Sequence, residues 1–409
     1  MTAIALLRGK RIILGVCGSI AAYKALDLAS KLTQAGALVD VVMTDAAQRF
    51  VSPLSFQAVS GRPVYTDMWR ADSAGALPSH IAHVGLAEGA DLLMIAPATA
   101  NTIAKLAHGL ADDMLSVTAL ASRSPLLIAP AMDGGMGEHP ATRANLKTLQ
   151  QRGARVIEPE TGRLASGLLG AGRLPETATL MGHIRRTLGA GGALAGHKLV
   201  VTAGGTREAL DPVRFISNRS SGKQGTAIAQ AAVDAGADVV LITAARLPPP
   251  IGAAEIRVDA AEAMKAAVLN HVDESSALIM AAAVADYRPR AVSAQKIKKS
   301  GEALTLPLER TADILQAVKA RRQETGYPKI VVGFAAESEN LLENASRKLK
   351  SKGLDLLIAN DISDADAGFA VDTNRALALD KDGGVHKIDL TSKAAIGEII
   401  IGRVGALLA

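Results

Sequence analysis

Residues 11–24 read RIILGVCGSIAAYK: an apolar run, a glycine-bearing turn, then a helix-forming stretch. A second such opening lies at residues 198–207, KLVVTAGGTR. Between and after them one pattern recurs five times, a polar helix end, a glycine and an apolar run, at Gly36, Gly89, Gly153, Gly236 and Gly353. Glycine after the last helical turn takes the left-handed conformation that closes a helix, and the run after it reads as a buried strand. The strands so predicted are Arg11–Val16, Val39–Met43, Leu92–Ile95, Leu126–Ala129 and Arg155–Ile157, then Lys198–Thr202, Val239–Thr243, Ala277–Met280 and Leu356–Ala359. Short, continuous Val/Ile/Leu runs alternating with helices indicate parallel sheets covered on both faces. The expected fold is α/β with two domains, each a mostly parallel Rossmann-like sheet. The small, uncharged segment Leu188–Gly196 reads as the linker, giving domains of about 1–190 and 191–409.

Composition narrows the function. With 409 residues, 49% hydrophobic and 21% charged, the chain has the balance of an ordinary globular protein. Lys and Arg exceed Asp and Glu by 45 to 40, and the pI is about 9.2. So mild and dispersed an excess, with aromatics at 2%, argues against a nucleic-acid partner. The single cysteine, Cys17, excludes an intrachain disulfide framework and a cysteine-built zinc site. No apolar run approaches the roughly 18 residues of a membrane span, and Arg8, Lys10 and Arg11 interrupt the N-terminal apolar stretch. A cytoplasmic protein without a membrane partner is expected.

In the first half, Gly18 and Ser19 open a helix where backbone N–H groups can hold a phosphate. Thr44 and the segment Pro97-Ala98-Thr99 follow further strands, at the strand ends where such folds place cofactors. His83, the segment Pro130–Met136 containing Met132 and Asp133, and the glycine-rich loop Gly162–Arg173 containing Ser166 complete the set. Singly, each is explained as structure. In this order, from about Ile13 to Arg173, they resemble the flavin-dependent cysteine decarboxylases, specifically the amino-terminal half of the bacterial bifunctional phosphopantothenoylcysteine decarboxylase/phosphopantothenate–cysteine ligases. The resemblance implies a flavodoxin-like flavoprotein half that binds FMN at Gly18–Lys24 and Pro97–Ala100, with His83 catalytic and His80 less well placed. It implies oxidation of the substrate thiol to a thioaldehyde, loss of CO₂, and reduction of the ene-thiol by the flavin. Two positions depart from the family, which has asparagine at Asp133 and cysteine at Ser166. A carboxyl replaces the amide donor only if protonated, so the expectation is an Asp133 buried in an apolar pocket, standing in for both missing donors. The alternative is an active ligase fused to a silent flavin-binding half; a third reading, a non-enzymatic regulatory flavoprotein, is disfavoured by the second half.

There, Asp211–Gly225 gathers Arg214, Asn218 and Lys223 at one Ser/Gly-rich turn before a helix expected over Thr226–Ala235. Ala281–Pro289 follows a strand, and its Asp286 sits where a carboxylate meets Mg²⁺ held by phosphates. Lys296, Lys298 and Lys299 cluster on a predicted loop; Lys348 and Lys352 share one helix face. From about His197 to Asn374 these motifs resemble the CTP-dependent ligase half of the same family, with I-S-N-x-S-S-G-K, A-A-V-A-D-Y and K-I-K-K intact. The resemblance assigns Met280, Ala281, Ala282, Asp286, Lys296, Ala312, Asp313, Ile314, Leu315, Phe334, Lys348 and Lys352 to CTP. It makes Lys296 the support of carboxylate attack on the α-phosphate, and gives Asn218, with Arg214 near the substrate, the second step, in which cysteine displaces CMP. Ala312 stands where the family commonly has proline. The implied substrates are 4′-phosphopantothenate, cysteine and CTP with Mg²⁺, and the implied assembly is a homo-oligomer.

Overall fold

The computed structural model describes residues 4–69, 79, 81–299, 304–337, 341–361 and 372–409; His80 lies outside them. The chain divides into two compact units, residues 1–188 and 189–409.

In the first unit, β1 (Arg11–Val16), β2 (Leu38–Met43), β3 (Val64–Tyr65), β4 (Leu92–Ala98), β5 (Leu126–Pro130) and β6 (Arg155–Val156) form one parallel sheet. Its order is β3-β2-β1-β4-β5-β6, a doubly wound arrangement whose direction reverses between β1 and β4. Successive strand side chains point to opposite faces. Ile12, Leu14 and Val16 accordingly pack with Leu28, Leu32 and Ile184 on one side, while Ile13 joins Leu86, Ile103 and Leu115 on the other. Both faces are dry, which is why β1 reads as a continuous apolar run. On β2 the carboxylate of Asp40 is fully buried between Arg11 Nε at 2.7 Å and Arg62 Nε at 2.8 Å. An antiparallel hairpin, β7 (Glu160–Arg163) and β8 (Leu169–Arg173), stands apart from the sheet.

The second unit contains β9 (Lys198–Ala203), β10 (Arg207–Ala209), β11 (Phe215–Ser217), β12 (Asp238–Thr243), β13 (Ala253–Arg257), β14 (Ala277–Met280), β15 (Tyr287–Pro289) and β16 (Leu308–Arg310). It continues with β17 (Ile330–Glu337), β18 (Leu356–Asp361), β19 (Thr373–Asp380) and β20 (Val385–Ser392). The main sheet runs β13-β12-β9-β14-β17-β18-β19-β20. Its first six strands are parallel and repeat the winding of the first unit, with the reversal between β9 and β14. β19 and β20 are antiparallel additions, and β10-β11 and β15-β16 are separate two-stranded ribbons.

Gly36, Gly153, Gly236 and Gly353 have φ of +99°, +93°, +91° and +65°, as their place after a helix requires. Gly89 differs. Its φ is −87°, so it closes the helix without the left-handed conformation, and a side chain there would meet the Arg11 guanidinium at 2.7 Å. The helix expected from Thr226 begins at Lys223, because Gly222 at φ +78° turns the chain directly into it.

Candidate functional site

Four segments meet at the carboxyl ends of the first sheet. Cys17 N–H donates to Pro97 O at 3.2 Å, Thr44 N–H to Val16 O at 3.1 Å, Ala131 N–H to Ala98 O at 3.1 Å, and Met132 N–H to Gly172 O at 3.1 Å. Gly18, Thr44, Pro97–Thr99 and Met132 are thereby brought to one rim, across the β1/β4 reversal. Ser19 Oγ donates to Ala131 O at 3.4 Å and accepts from Ala21 N–H at 3.3 Å. Thr44 and Thr99 cap their helices, accepting from Ala47 and Thr102 N–H. The N–H groups of Gly18 and Ile20 make no hydrogen bond among the described residues. They precede the helix Ala22–Gln34, so the rim presents open donors, hydroxyls and a helix N-terminus, a set suited to a phosphate. Gly18 is also a packing requirement: a Cβ there would lie 2.4 Å from that of Ala46.

Beside the rim, Asp133 caps the helix Gly134–Glu138. Its Oδ1 accepts from Gly135 N–H at 3.2 Å and its Oδ2 from Ser166 Oγ at 2.6 Å. The expected burial is not found. Asp133 is half-buried with both oxygens serving as acceptors, so it is arranged as an acceptor for the hairpin loop and not as an enclosed donor. His83 stands in the first turn of the helix Ala82–Glu88, half-buried, on an element packed against Met114–Ala121.

In the second unit a cavity of about 1180 Å³ opens across the β9/β14 reversal. Met280, Ala281, Ala282 and Asp286 line one wall, Ala312–Leu315 a second, and Phe334, Lys348 and Lys352 a third. Loop 281–286 is fixed by side chains of the neighbouring strand end: Ala282 N–H donates to Thr202 Oγ1 at 3.1 Å and Ala285 N–H to Thr206 Oγ1 at 2.9 Å. Asn218 Nδ2 donates to Ala283 O at 3.3 Å and Val284 O at 3.1 Å, so it braces that loop while lining the cavity. Lys348 Nζ donates to Phe334 O at 2.8 Å, and Lys352 Nζ pairs with Asp313, which caps the helix Ile314–Thr325. Burial works against ionisation of Asp313, but the Lys352 ammonium and the Gln316 N–H outweigh it and hold the carboxyl below its usual range.

Arg214 and Lys296 are not in this wall. Asp211, itself buried, accepts from Val213 and Arg214 N–H through Oδ1 and from Ile297 N–H through Oδ2. Arg214 Nη1 adds a bond to Ile297 O at 3.1 Å, which ties the lysine loop to the β10–β11 turn and leaves Lys296 exposed. Burial would raise the Asp211 carboxyl, but those three N–H donors pull it below the ordinary carboxylate value. The cavity adds residues that motif reading did not assign, among them Arg310, Asn360, Asn374 and Lys393. Asn374 and Lys393 come from the antiparallel end of the sheet, which carries no recognisable phosphate motif. Among the described residues no cluster of three acidic, His or Cys side chains could hold a metal, so Asp286 would serve only as one ligand beside those a polyphosphate brings.

Residues 4–189 match the family model described as Flavoprotein, and residues 194–407 the one described as DNA/pantothenate metabolism flavoprotein C-terminal domain. The Coenzyme A biosynthesis bifunctional protein CoaBC of Bacillus subtilis is 46% identical over 98% of this chain and 98% of its own length. Its counterpart of the same name from Vibrio cholerae is 43% identical over 97% and 98%. A crystal structure of the C-terminal domain of a protein of that name is 36% identical, covering 53% of this chain and 97% of that one, with a TM-score of 0.45. With both halves matched and full-length relatives aligned nearly end to end, the chain belongs to the family of bifunctional coenzyme A biosynthesis proteins.

Proposed function

We propose that the two units catalyse consecutive steps: residues 189–409 join cysteine to 4′-phosphopantothenate with CTP, and residues 1–188 decarboxylate the product to 4′-phosphopantetheine with FMN. The observation that carries the ligase reading is the single cavity in which Asp286, Asn218, Asp313, Phe334, Lys348 and Lys352 face one another, although they derive from segments far apart in sequence. In it the carboxylate of 4′-phosphopantothenate attacks the α-phosphorus of CTP, and pyrophosphate leaves. The cysteine amine then attacks the acyl carbon and CMP leaves. Lys348 and Lys352 offset charge on the nucleotide as the leaving group forms, in a wall that partly excludes water. Asn218 holds the 281–286 loop and assists the second step. Mg²⁺ beside Asp286 would neutralise part of the triphosphate charge.

The decarboxylase reading rests on the rim of the first sheet. Gly18, Ser19, Thr44, Pro97–Thr99 and Met132 would hold FMN, with the open N–H groups of Gly18 and Ile20 toward its phosphate. FMN when bound supplies the two-electron oxidation and return that makes the carboxylate a leaving group. His83 accepts a proton from the substrate as its thiol is oxidised, and the Asp133–Ser166 pair keeps the hairpin over the site. A homo-oligomer is part of the proposal. A cytoplasmic location completes the proposal; among the described residues no helix is long and apolar enough to cross a membrane.

The test is threefold on one preparation: flavin absorbance, divalent-dependent pyrophosphate release from CTP with both co-substrates, and CO₂ release from phosphopantothenoylcysteine. A colourless protein that takes up no FMN sinks the first half, and absent pyrophosphate release sinks the second. Lys296→Gln isolates a residue that, like Arg214, lies outside the cavity wall: abolished release keeps it in the acyl-transfer step, and normal release removes it.

A further inference from the structure

Lys352 is the last residue of the helix Leu341–Lys352, and where its side chain points depends on how that helix end is held. The carbonyls of the final turn have identifiable donors. Leu349 O accepts from Leu354 N–H at 3.0 Å and Lys350 O from Gly353 N–H at 3.3 Å, with Gly353 at φ +65° closing the helix. Ser351 O, next to Lys352, accepts from a different helix, through Lys319 Nζ at 3.1 Å and Gln316 Nε2 at 3.5 Å. Arg322 Nη1 adds a bond to Gly353 O at 3.4 Å.

Gln316, Lys319 and Arg322 are spaced three residues apart on the helix Ile314–Thr325, so they stand along one face of it. A Cβ at Gly353 would lie 3.4 Å from both Cδ and Cε of Lys319, which places the lysine stem over the glycine that ends the neighbouring helix. A cation there meets the negative end of that helix's dipole. Arg322 anchors the arrangement, since its guanidinium also meets Asp355 Oδ2 at 2.9 Å and donates to Lys329 O. Asp355 is buried and accepts from Val331 N–H at 2.8 Å. Three residues before Gln316, Asp313 pairs with the Lys352 ammonium. Lys352 is thereby gripped twice by one helix, at its ammonium by Asp313 and at the adjoining main chain by Lys319 and Gln316. Among the described residues that line the cavity, none of Gln316, Lys319 and Arg322 is found.

We propose that Lys319, with Gln316 and Arg322, is a positioning residue for the ligase step: it clasps the end of the helix Leu341–Lys352 and so keeps Lys352 turned toward the nucleotide. It acts through Lys352 and touches no substrate. The inference deepens the ligase reading and rests on it for the identity of the nucleotide.

The experiment uses the full chain. Lys319→Met keeps a stem over Gly353 and removes the ammonium, and Gln316→Ala removes the second donor to Ser351 O. The double variant Gln316→Ala/Lys319→Met is expected to raise KM for CTP about 3- to 10-fold, the equivalent of one ordinary hydrogen bond, while KM for 4′-phosphopantothenate holds. Lys319→Arg is expected to stay near the parent. In a Lys352→Met background the same two substitutions are expected to add clearly less, because the side chain they position is gone, whereas a through-space effect of the Lys319 charge would add in full. A merely structural role would lower the melting temperature and leave KM for CTP unmoved. An unmoved KM for CTP in the folded double variant, or an equal effect with and without Lys352, overturns the proposal; if the double variant fails to fold, the two single variants are judged by the same criteria. A parent that releases no pyrophosphate from CTP sinks the ligase reading instead. Hydrogen exchange at the Gly353 and Leu354 N–H groups then reads the clasp directly: faster exchange in the variants upholds it, and unchanged exchange overturns it.

Discussion

The hydroxyl of Ser166 donates to Asp133 Oδ2 at 2.6 Å, joining the loop of the β7–β8 hairpin to the turn after β5. Main-chain contact reinforces the junction, since Gly172 O accepts from Met132 N–H and a side chain at 172 would meet Met132 O at 2.1 Å. The hairpin therefore has one replaceable tie, the Ser166 hydroxyl. A hydrogen bond to a charged group is worth about 1.5–3 kcal/mol, and the exposure of this one puts it at the lower end. Ser166→Ala is expected to expose the hairpin to limited proteolysis and to slow CO₂ release about 10-fold, the equivalent of about 1.4 kcal/mol. Asp133→Asn keeps an acceptor for the hydroxyl and is expected to be milder. Unchanged proteolysis and turnover in Ser166→Ala would show that the tie does nothing.

Gly18 supports the rim of the first sheet by being small. The nearest atoms to a Cβ at this position are Ala46 Cβ at 2.4 Å and Ala46 C at 2.9 Å, the latter main chain that cannot rotate away. Gly18→Ala is expected to push the Thr44–Gln48 turn outward at a cost of about 1–3 kcal/mol and to lower the flavin retained on purification. Full flavin occupancy in the variant would mean that the rim tolerates the shift.

All parallel strands but β3, β13 and β17 were legible in the sequence because they are buried on two sides, so that β1, β9 and β14 appear as mainly apolar runs. β19 and β20 were not, since β20 leaves most of its side chains in water and lacks that signature. The turn joining them, Asp380–Gly384 with Gly383 at φ +93°, is a hairpin signal overshadowed by the helix–strand alternation around it. Missing that pair also hid Asn374 and Lys393, which reach the cavity only because the chain doubles back. The local motifs located Asn218 and Asp286 because a short loop fixes them to a strand end. Lys296 lies outside that cavity, on a loop held by a buried carboxylate, Asp211, more than eighty residues upstream.

Asp40 tests the winding of the first unit. Its carboxylate, without solvent exposure, joins Arg11 on β1 to Arg62 ahead of β3. Asp40→Ala would leave two guanidinium groups without their shared acceptor, and breaking a buried pair costs about 3–5 kcal/mol. Chemical denaturation followed through the first unit should show that loss. A change below about 1 kcal/mol would mean that water replaces the carboxylate.

Asp313 links stability to the cavity wall of the second unit, and the sign of its pH dependence follows from its partners. Its carboxyl is held below the ordinary range, chiefly by Lys352 against the opposing effect of burial. A carboxylate depressed on folding contributes stability above its unfolded value, and that contribution disappears as pH falls through the native one, here below about pH 4. The pair is partly in solvent, 44% exposed on the aspartate side, so screening limits it to about 0–1 kcal/mol. Asp313→Asn keeps the helix cap and loses only the ion pair. Asp313→Ala loses both, about 1 kcal/mol more. Denaturation at pH 7 and pH 3 should therefore show the Asn variant weaker than the parent at the higher pH, with a smaller deficit at the lower. In the same variant the Lys352 ammonium loses its internal carboxylate, so KM for CTP is expected to fall or hold while stability drops. A stability deficit equal at both pH values would assign the effect to helix capping, and a raised KM would make Asp313 itself a nucleotide contact.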